Sequence, residues 1–389
     1  MSNLMNIGAF KRLCPPTLFR ALQRFSNRSN ISIFKRCSQK GINARKLVFL
    51  SPTRDSLSGN FWFIYEAIKD SDFEIVVLLE EDHRDMGRVM RHVATAQYIL
   101  ADDYVRYMYT LPLSDKQKFI QVWHSTGALK RMGFSRIGRE GSTIQGSLTH
   151  RNYTDVIVSA EGVVDNFAEA FGIERSKVQP YGVPRTDIFF DEAYKKQTRE
   201  DLRARLQVEP DEKLVLFAPT YRGNDVYGAF YPQEFLNVDA LARALGSGYV
   251  IALKLHPFIK EQLPFSNGEG ARVIDVGEYR EINDLLLAAD ILVTDYSSVI
   301  FEYALLSKPV VFYVPDMGDY ENKRDFFYDY SEYAYGPLVL NQDELAQSIM
   351  SAETIKMLDL TAFKEKFLGA CDGRSTQRFV ENVLVNEVK

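Results

Sequence analysis

In Ala289–Tyr330, ADILVTDYSSVIFEYALLSKPVVFYVPDMGDYENKRDFFYDY, one physical arrangement accounts for nearly every residue. Ile291-Leu292-Val293 is a short apolar run of the buried-strand kind, and the polar turn Asp295-Tyr296-Ser297-Ser298 that follows it suits the start of a helix. Val299–Leu306 reads as that helix, with Val299, Ala304 and Leu305 apolar and Glu302 polar. Lys308-Pro309 stops it, and Val310–Val314 is a second apolar strand. Strand, helix, strand units build parallel sheets, so the turn lies at a sheet's carboxyl edge, where open α/β folds bind ligands. There the hydroxyls of Ser297 and Ser298 and the amides of a helix start suit a phosphate, and Arg324 offers a planar, bidentate second contact. A plainer reading makes the two serines a helix cap and nothing more, the commonest use of serine at that position.

The same alternation extends in both directions. Leu47–Leu50, Ile75–Leu79, Tyr98–Leu100, Phe119–Trp123 and Val156–Val158 read as strands, with helical stretches such as Asn60–Lys69 and Glu161–Phe171 between them. Arg185–Glu212 is polar, lacks a strand signal and contains a helix near Arg199–Leu206. Strand signals then restart at Leu214–Phe217, Val250–Leu255, Val273–Val276, Ile291–Val293, Val310–Val314 and Leu338–Leu340. The reading is α/β: two Rossmann-like domains in series, residues 46–190 and 191–374, facing a cleft, after a basic segment 1–45 and before a helix in 375–389 that packs back across.

The chain has 389 residues, room for two domains, and its 46% hydrophobic and 25% charged content suits a large buried core. Three scattered cysteines, Cys14, Cys37 and Cys371, make neither a disulfide framework nor a zinc site and point to a reducing compartment. No apolar run is long enough to span a bilayer, and no signal-peptide pattern is present. The net charge of −5 hides an asymmetry, because residues 1–54 hold eleven Lys and Arg and no acid. Thr17–Ser26 has helical spacing, with Leu18, Leu22 and Phe25 on one face and Arg20, Arg24 and Arg28 along another. Such a helix suits an anionic membrane surface, or packs its apolar face on the protein itself. Aromatic and basic residues do not interleave beyond it, so nucleic acid is not an expected partner.

Two of the five histidines directly follow predicted strands: His124 in Gln121–Gly127, QVWHSTG, and His256 in Leu253–Pro257, LKLHP. Each stands at its domain's ligand edge, so two imidazoles can approach one substrate from opposite sides of a cleft, and a histidine serves as general base near neutral pH. Leu214–Arg222, LVLFAPTYR, is another strand with a polar turn, placing Thr220 and Arg222 toward the same ligand. His83, His92 and His150 lie in charged, surface-like stretches and receive no role. No dinucleotide fingerprint, phosphate loop or zinc-protease helix occurs, and no Asp-x-Asp cluster near these turns marks a dedicated metal site.

Trp123–Gly133 (WHSTGALKRMG), Leu216–Arg222 (LFAPTYR), Leu253–Pro257 (LKLHP), Val293–Tyr313 (VTDYSSVIFEYALLSKPVVFY), and then Tyr320, Arg324 and Gly336-Pro337, resemble the CDP-glycerol glycerophosphotransferase family in order and spacing. The resemblance covers about residues 120–340. It implies a GT-B arrangement, a CDP-activated polyol phosphate donor such as CDP-glycerol or CDP-ribitol, and a lipid-linked polyol phosphate acceptor at the cytoplasmic face of the membrane, in teichoic acid or capsule-type polymer synthesis.

By the same resemblance His124 is the base, and His256, Ser297, Ser298 and Arg324 hold the donor phosphates, with Thr220, Arg222 and Asp295 beside them. Glu302 stands where other GT-B enzymes contact the donor ribose. No cofactor is required, and Mg2+ remains available as a donor counter-ion. Ser125 departs from the family's usual glycine and narrows the space beside the base. Asp325-Phe326-Phe327 replaces Gly-Phe-Tyr, and Tyr335 replaces proline before Gly336. The alternatives are a GT-B glycosyltransferase using a nucleotide sugar and a nucleotide- or polyanion-binding module without turnover.

Overall fold

The structure, a computed structural model, describes residues 16–139, 143–223, 228–266, 268–352 and 359–385. The first sheet contains β1 (Asn43–Leu50), β2 (Glu74–Leu78), β3 (Ala96–Ala101), β4 (Lys118–Gln121), β5 (Asp155–Ile157) and β6 (Val178–Gln179), in the order β2-β1-β3-β4-β5-β6. The second contains β7 (Lys213–Phe217), β8 (Tyr249–Leu253), β9 (Arg272–Asp275), β10 (Ile291–Thr294), β11 (Val310–Tyr313) and β12 (Leu338–Val339), in the order β12-β11-β10-β7-β8-β9. Every pairing in both sheets is parallel. The strand order reverses between β1 and β3 in one sheet and between β7 and β10 in the other, and ligand crevices open at such reversals. The expected two-domain α/β reading holds.

Parallel strands buried on both faces need unbroken apolar runs, and β1 shows why. Leu47 and Phe49 point to one face, where Phe61, Phe379, Val383 and Leu384 cover them; Val48 and Leu50 point to the other, against Phe34, Val89 and Met90. The covering residues come from three helices, Asn60–Ile68, Pro16–Ser38 and Met86–Val93, and from the carboxyl-terminal turns Ser375–Val385. Those last turns pack on the first sheet. The Asp187 carboxylate fixes them by accepting the amides of Ser375 and Thr376 at 2.9 and 2.8 Å.

Three details differ from the sequence reading. The helix expected near Arg199–Leu206 runs over Glu192–Arg205, because the Asp191 side chain caps it by accepting from the Tyr194 amide. Arg199 and Arg203 on this helix clamp Asp290 at the foot of β10. β6, two residues long, gave no periodic signal. The amino-terminal helix is longer than expected, and its second half docks through buried Phe34 while Arg28, Lys35 and Arg36 are exposed. Leu18, Leu22, Phe25, Arg20 and Arg24 lie in the first turns of this helix, and their side chains are outside what the structure describes. No helix among the described residues is long and apolar enough to cross a membrane.

Candidate active site between the two sheets

His124 follows β4 on a strained turn. Trp123 takes a left-handed φ of 50°, a conformation that costs a bulky residue about 1–3 kcal/mol unless its surroundings impose it. Here they do. The Gln121 side chain accepts the Trp123 amide at 2.9 Å, and the buried Asn60 amide donates to the carbonyls of Val122 and Trp123, each at 2.9 Å. The Trp123 indole donates to Ser125 Oγ at 2.8 Å and stacks on the His124 ring at 4.4 Å. Ser125 thus turns its hydroxyl to the tryptophan. His124 Nδ1 lies 2.9 Å from the backbone carbonyl of Asp102, at the end of β3. A carbonyl only accepts, so Nδ1 carries a proton, and the neutral ring has its lone pair on Nε2, on an exposed side chain. Arg54 holds the buried Asp102 carboxylate in turn.

At the second sheet, Ser298 is the N-cap residue of the helix Val299–Leu306, yet its side chain makes no capping bond. The hydroxyls of Ser297 and Ser298 stay partly exposed at that helix start, so the capping explanation for them fails. His256 lies between the rings of Tyr221 and Phe258, 4.8 and 4.6 Å away. Its Nδ1 accepts the Phe258 amide at 3.2 Å, which leaves the proton on Nε2. Burial first, then the charges of Lys130, Lys254 and His124, pushes this imidazole down to about 4. It is therefore a neutral hydrogen-bond donor at pH 7. The contribution from His124 puts the two imidazoles in one electrostatic neighbourhood.

Sequence reading places Thr220, Arg222 and Asp295 around the donor, and the structure joins all three to one another. Asp295 is buried; its oxygens accept the Thr220 amide at 2.7 Å and Arg222 Nη1 at 2.9 Å. Arg222 also donates to both oxygens of Asp316, at 2.7 and 2.8 Å, and to the Thr220 carbonyl at 3.1 Å. Its guanidinium is a brace beneath the turns after β7 and β10, with little left to offer a ligand. Arg324 remains partly exposed, anchored by one bond of 2.6 Å to the Gly223 carbonyl and resting 5.8 Å from the Tyr221 ring.

The loop after His124 crosses to the second domain. Gly127 has φ 65°, and a Cβ there would lie 2.6 Å from the Phe301 ring, so only glycine permits this approach. Glu302, expected near the ribose, is buried in this contact instead. Its Oε1 accepts Thr126 Oγ1 at 2.6 Å and pairs with Arg185, while Oε2 has no partner among the described residues. Lys130 reaches Thr220 Oγ1 at 3.2 Å. Lys130, Tyr221, Asp316 and Arg185 were not singled out from sequence. Each acts through residues far away in the chain, and only the Trp123–Gly133 and Leu216–Arg222 motifs hinted at the first two.

The model of the CDP-Glycerol:Poly(glycerophosphate) glycerophosphotransferase family matches residues 32–385. The chain belongs to this family. Among its members, the teichoic acid poly(ribitol-phosphate) polymerase of Bacillus spizizenii is 40% identical over 88% of this chain and 56% of its own length. The teichoic acid ribitol-phosphate polymerase TarK of Staphylococcus aureus is 38% identical over 87% of this chain and 68% of its own. The teichoic acid ribitol-phosphate primase of B. spizizenii is 32% identical over 86% of this chain and 90% of its own. The chain thus spans little more than half of the first of these glycerophosphotransferase relatives. The wall teichoic acid polymerase TagF superposes with a TM-score of 0.78 at 21% identity, covering 95% of this chain and 97% of that one. That likeness shows the fold, the GT-B pairing of two Rossmann-like domains.

Proposed function

We propose that the protein transfers a polyol phosphate from a CDP-activated donor to a hydroxyl of a lipid-linked or polymeric acceptor, as in teichoic acid synthesis. One observation carries this reading: the two histidines have opposite backbone partners at Nδ1, a carbonyl for His124 and an amide for His256, so the neutral rings put a lone pair on His124 Nε2 and a proton on His256 Nε2. In the reaction, the acceptor oxygen attacks the β-phosphorus and forms the new P–O bond while its proton passes to His124 Nε2. The bond from that phosphorus to the bridging oxygen breaks, and CMP leaves with that oxygen. His256, Ser297, Ser298 and Arg324 surround the phosphates, and Arg222 with Asp295 hold the turns that present them. Catalysis of this kind depends on alignment and on charge stabilisation.

Ribitol phosphate is the unit to test first. The ribitol-phosphate polymerases are 37–40% identical to this chain, and the glycerol-phosphate polymerases 26–29%. The exposed cations Arg28, Lys35 and Arg36 on the amino-terminal helix suit a cytoplasmic membrane surface, where a lipid-linked acceptor would be met.

The test is CMP release from CDP-ribitol and, separately, CDP-glycerol, with and without a lipid-linked polyol phosphate acceptor, in Mg2+ and in EDTA. Acceptor-dependent CMP from one donor is the expected result. No CMP from either donor, with folded protein and intact acceptor, overturns the reading in favour of a nucleotide-sugar glycosyltransferase.

A further inference from the structure

Lys130 belongs to the first domain but ends inside the phosphate edge of the second. Its backbone forms an antiparallel bridge with Phe326, fixed by the Arg131 amide on the Asp325 carbonyl at 2.8 Å and the Phe327 amide on the Leu129 carbonyl at 3.0 Å. From this fixed base the ammonium lies 3.2 Å from Thr220 Oγ1 and 5.5 Å from the centre of the Tyr320 ring. Neither is a counter-charge. Among the described residues it makes no ion pair, and the carboxylate that influences it, Asp295, already accepts from the Thr220 amide and Arg222.

A partly buried ammonium without a carboxylate implies an anion that arrives from outside. We propose that Lys130 is a further catalytic residue, the cation that the first domain inserts beside the donor's pyrophosphate to meet the charge gathering on the departing CMP phosphate. The second domain's phosphate site is then incomplete until the first domain supplies this residue. As the bond to the bridging oxygen breaks, its electron pair stays on that oxygen, and the ammonium stabilises it electrostatically without giving up a proton. The role rests on the transferase reading; anion binding at Lys130 does not.

The surroundings supply a signature. The groups whose charges bear on Lys130 are Asp295 in the turn after β10, Tyr221 and Arg222 in the turn after β7, His256 in the turn after β8, and Arg324 after β11, with the Tyr320 ring beside the ammonium. Burial first, with Arg324 and Arg222 adding repulsion against the attraction of Asp295 and Tyr221, pushes the ammonium down to about 8. A bound diphosphate favours the charged form, so affinity is complete below that pH and falls as pH rises through it.

The experiment is calorimetric titration of CDP into the full-length wild type, Lys130→Met and Lys130→Arg between pH 7 and 9.5, alongside CMP release. Lys130→Met is expected to weaken CDP about tenfold or more at pH 7. Lys130→Arg, which does not titrate in this range, is expected to lose the alkaline fall in affinity whatever its affinity at pH 7. CDP binding within twofold of wild type in a folded Lys130→Met, or an alkaline limb that survives in Lys130→Arg, overturns the proposal. The second criterion stands even where Lys130→Met does not fold. Lys130-dependent CDP binding in a wild type that releases no CMP from any CDP-polyol would overturn the catalytic role and the transferase reading, and leave only an anion contact.

Discussion

His124 and His256 both follow parallel strands at a carboxyl edge, yet the two edges hold them in opposite ways. The first edge supplies a backbone carbonyl to Nδ1 and leaves the ring exposed over a tryptophan. The second supplies a backbone amide to Nδ1 and encloses the ring among Tyr221, Phe258 and nearby cations. One arrangement leaves Nε2 of the proposed base on an exposed ring, and the other makes Nε2 a donor on a neutral, enclosed ring. The role follows from the single backbone group opposite Nδ1, not from residue type or place in the fold. His124→Ala should therefore lower CMP release by about 10²–10⁴-fold, the usual weight of a general base, and leave CDP affinity within about threefold. His256→Ala should weaken CDP binding as well as turnover, and equal effects of both changes on binding would break the contrast.

This contrast was only half legible in the sequence. Strand ends predict where a histidine stands, and both were placed correctly after β4 and β8. The group facing Nδ1 depends on neighbours such as Asp102, which no local pattern reveals. The alternation of apolar runs and helices marked most strands because the central ones are buried on both faces, as Leu47–Leu50 shows. It missed β6, too short to carry a period. Arg222 shows the same limit from another side. An arginine after a strand reads equally well as a ligand contact or as a brace, and the difference lies with Asp316, which is 94 residues away in the chain.

That brace sharpens the comparison, because beneath His124 a single ion pair, Arg54 on the buried Asp102, stands where Arg222 spans two carboxylates. Replacing Arg222 with Met leaves the buried Asp295 and the partly buried Asp316 without their shared cation. A broken buried ion pair costs about 3–5 kcal/mol, so chemical denaturation should show a loss of that order, with donor binding lost as the turns after β7 and β10 relax. Arg324→Met removes one bond to a backbone carbonyl and one ring contact. It should cost about 1 kcal/mol or less of stability while weakening CDP binding. If Arg324→Met unfolds the protein and Arg222→Met does not, the assignment of brace and ligand contact is reversed.

The smallest effect separates a histidine that waits for an anion from one that does not. His150, read from its charged neighbours in sequence as surface-like, is instead fully buried between the rings of Tyr104, Tyr153 and Phe171, without a hydrogen bond at either nitrogen among the described residues, and burial pushes it down to about 3. His256 is also depressed, to about 4. A histidine depressed in the folded state takes its proton first in the unfolded chain, near pH 6.5. Stability from both is therefore complete above that pH and is lost as pH falls toward 3 and 4. Between pH 7.5 and 5.5 the His150 contribution should fall by about 1.4 kcal/mol, read as the difference in denaturant midpoints within one protein. His150→Phe should remove that part of the loss. The part that belongs to His256 should shrink when CDP is bound, because a diphosphate beside the ring favours its charged form. Acid sensitivity in His150→Phe that CDP leaves unchanged would place His256 away from the donor, and the second edge would lose the feature that distinguishes it from the first.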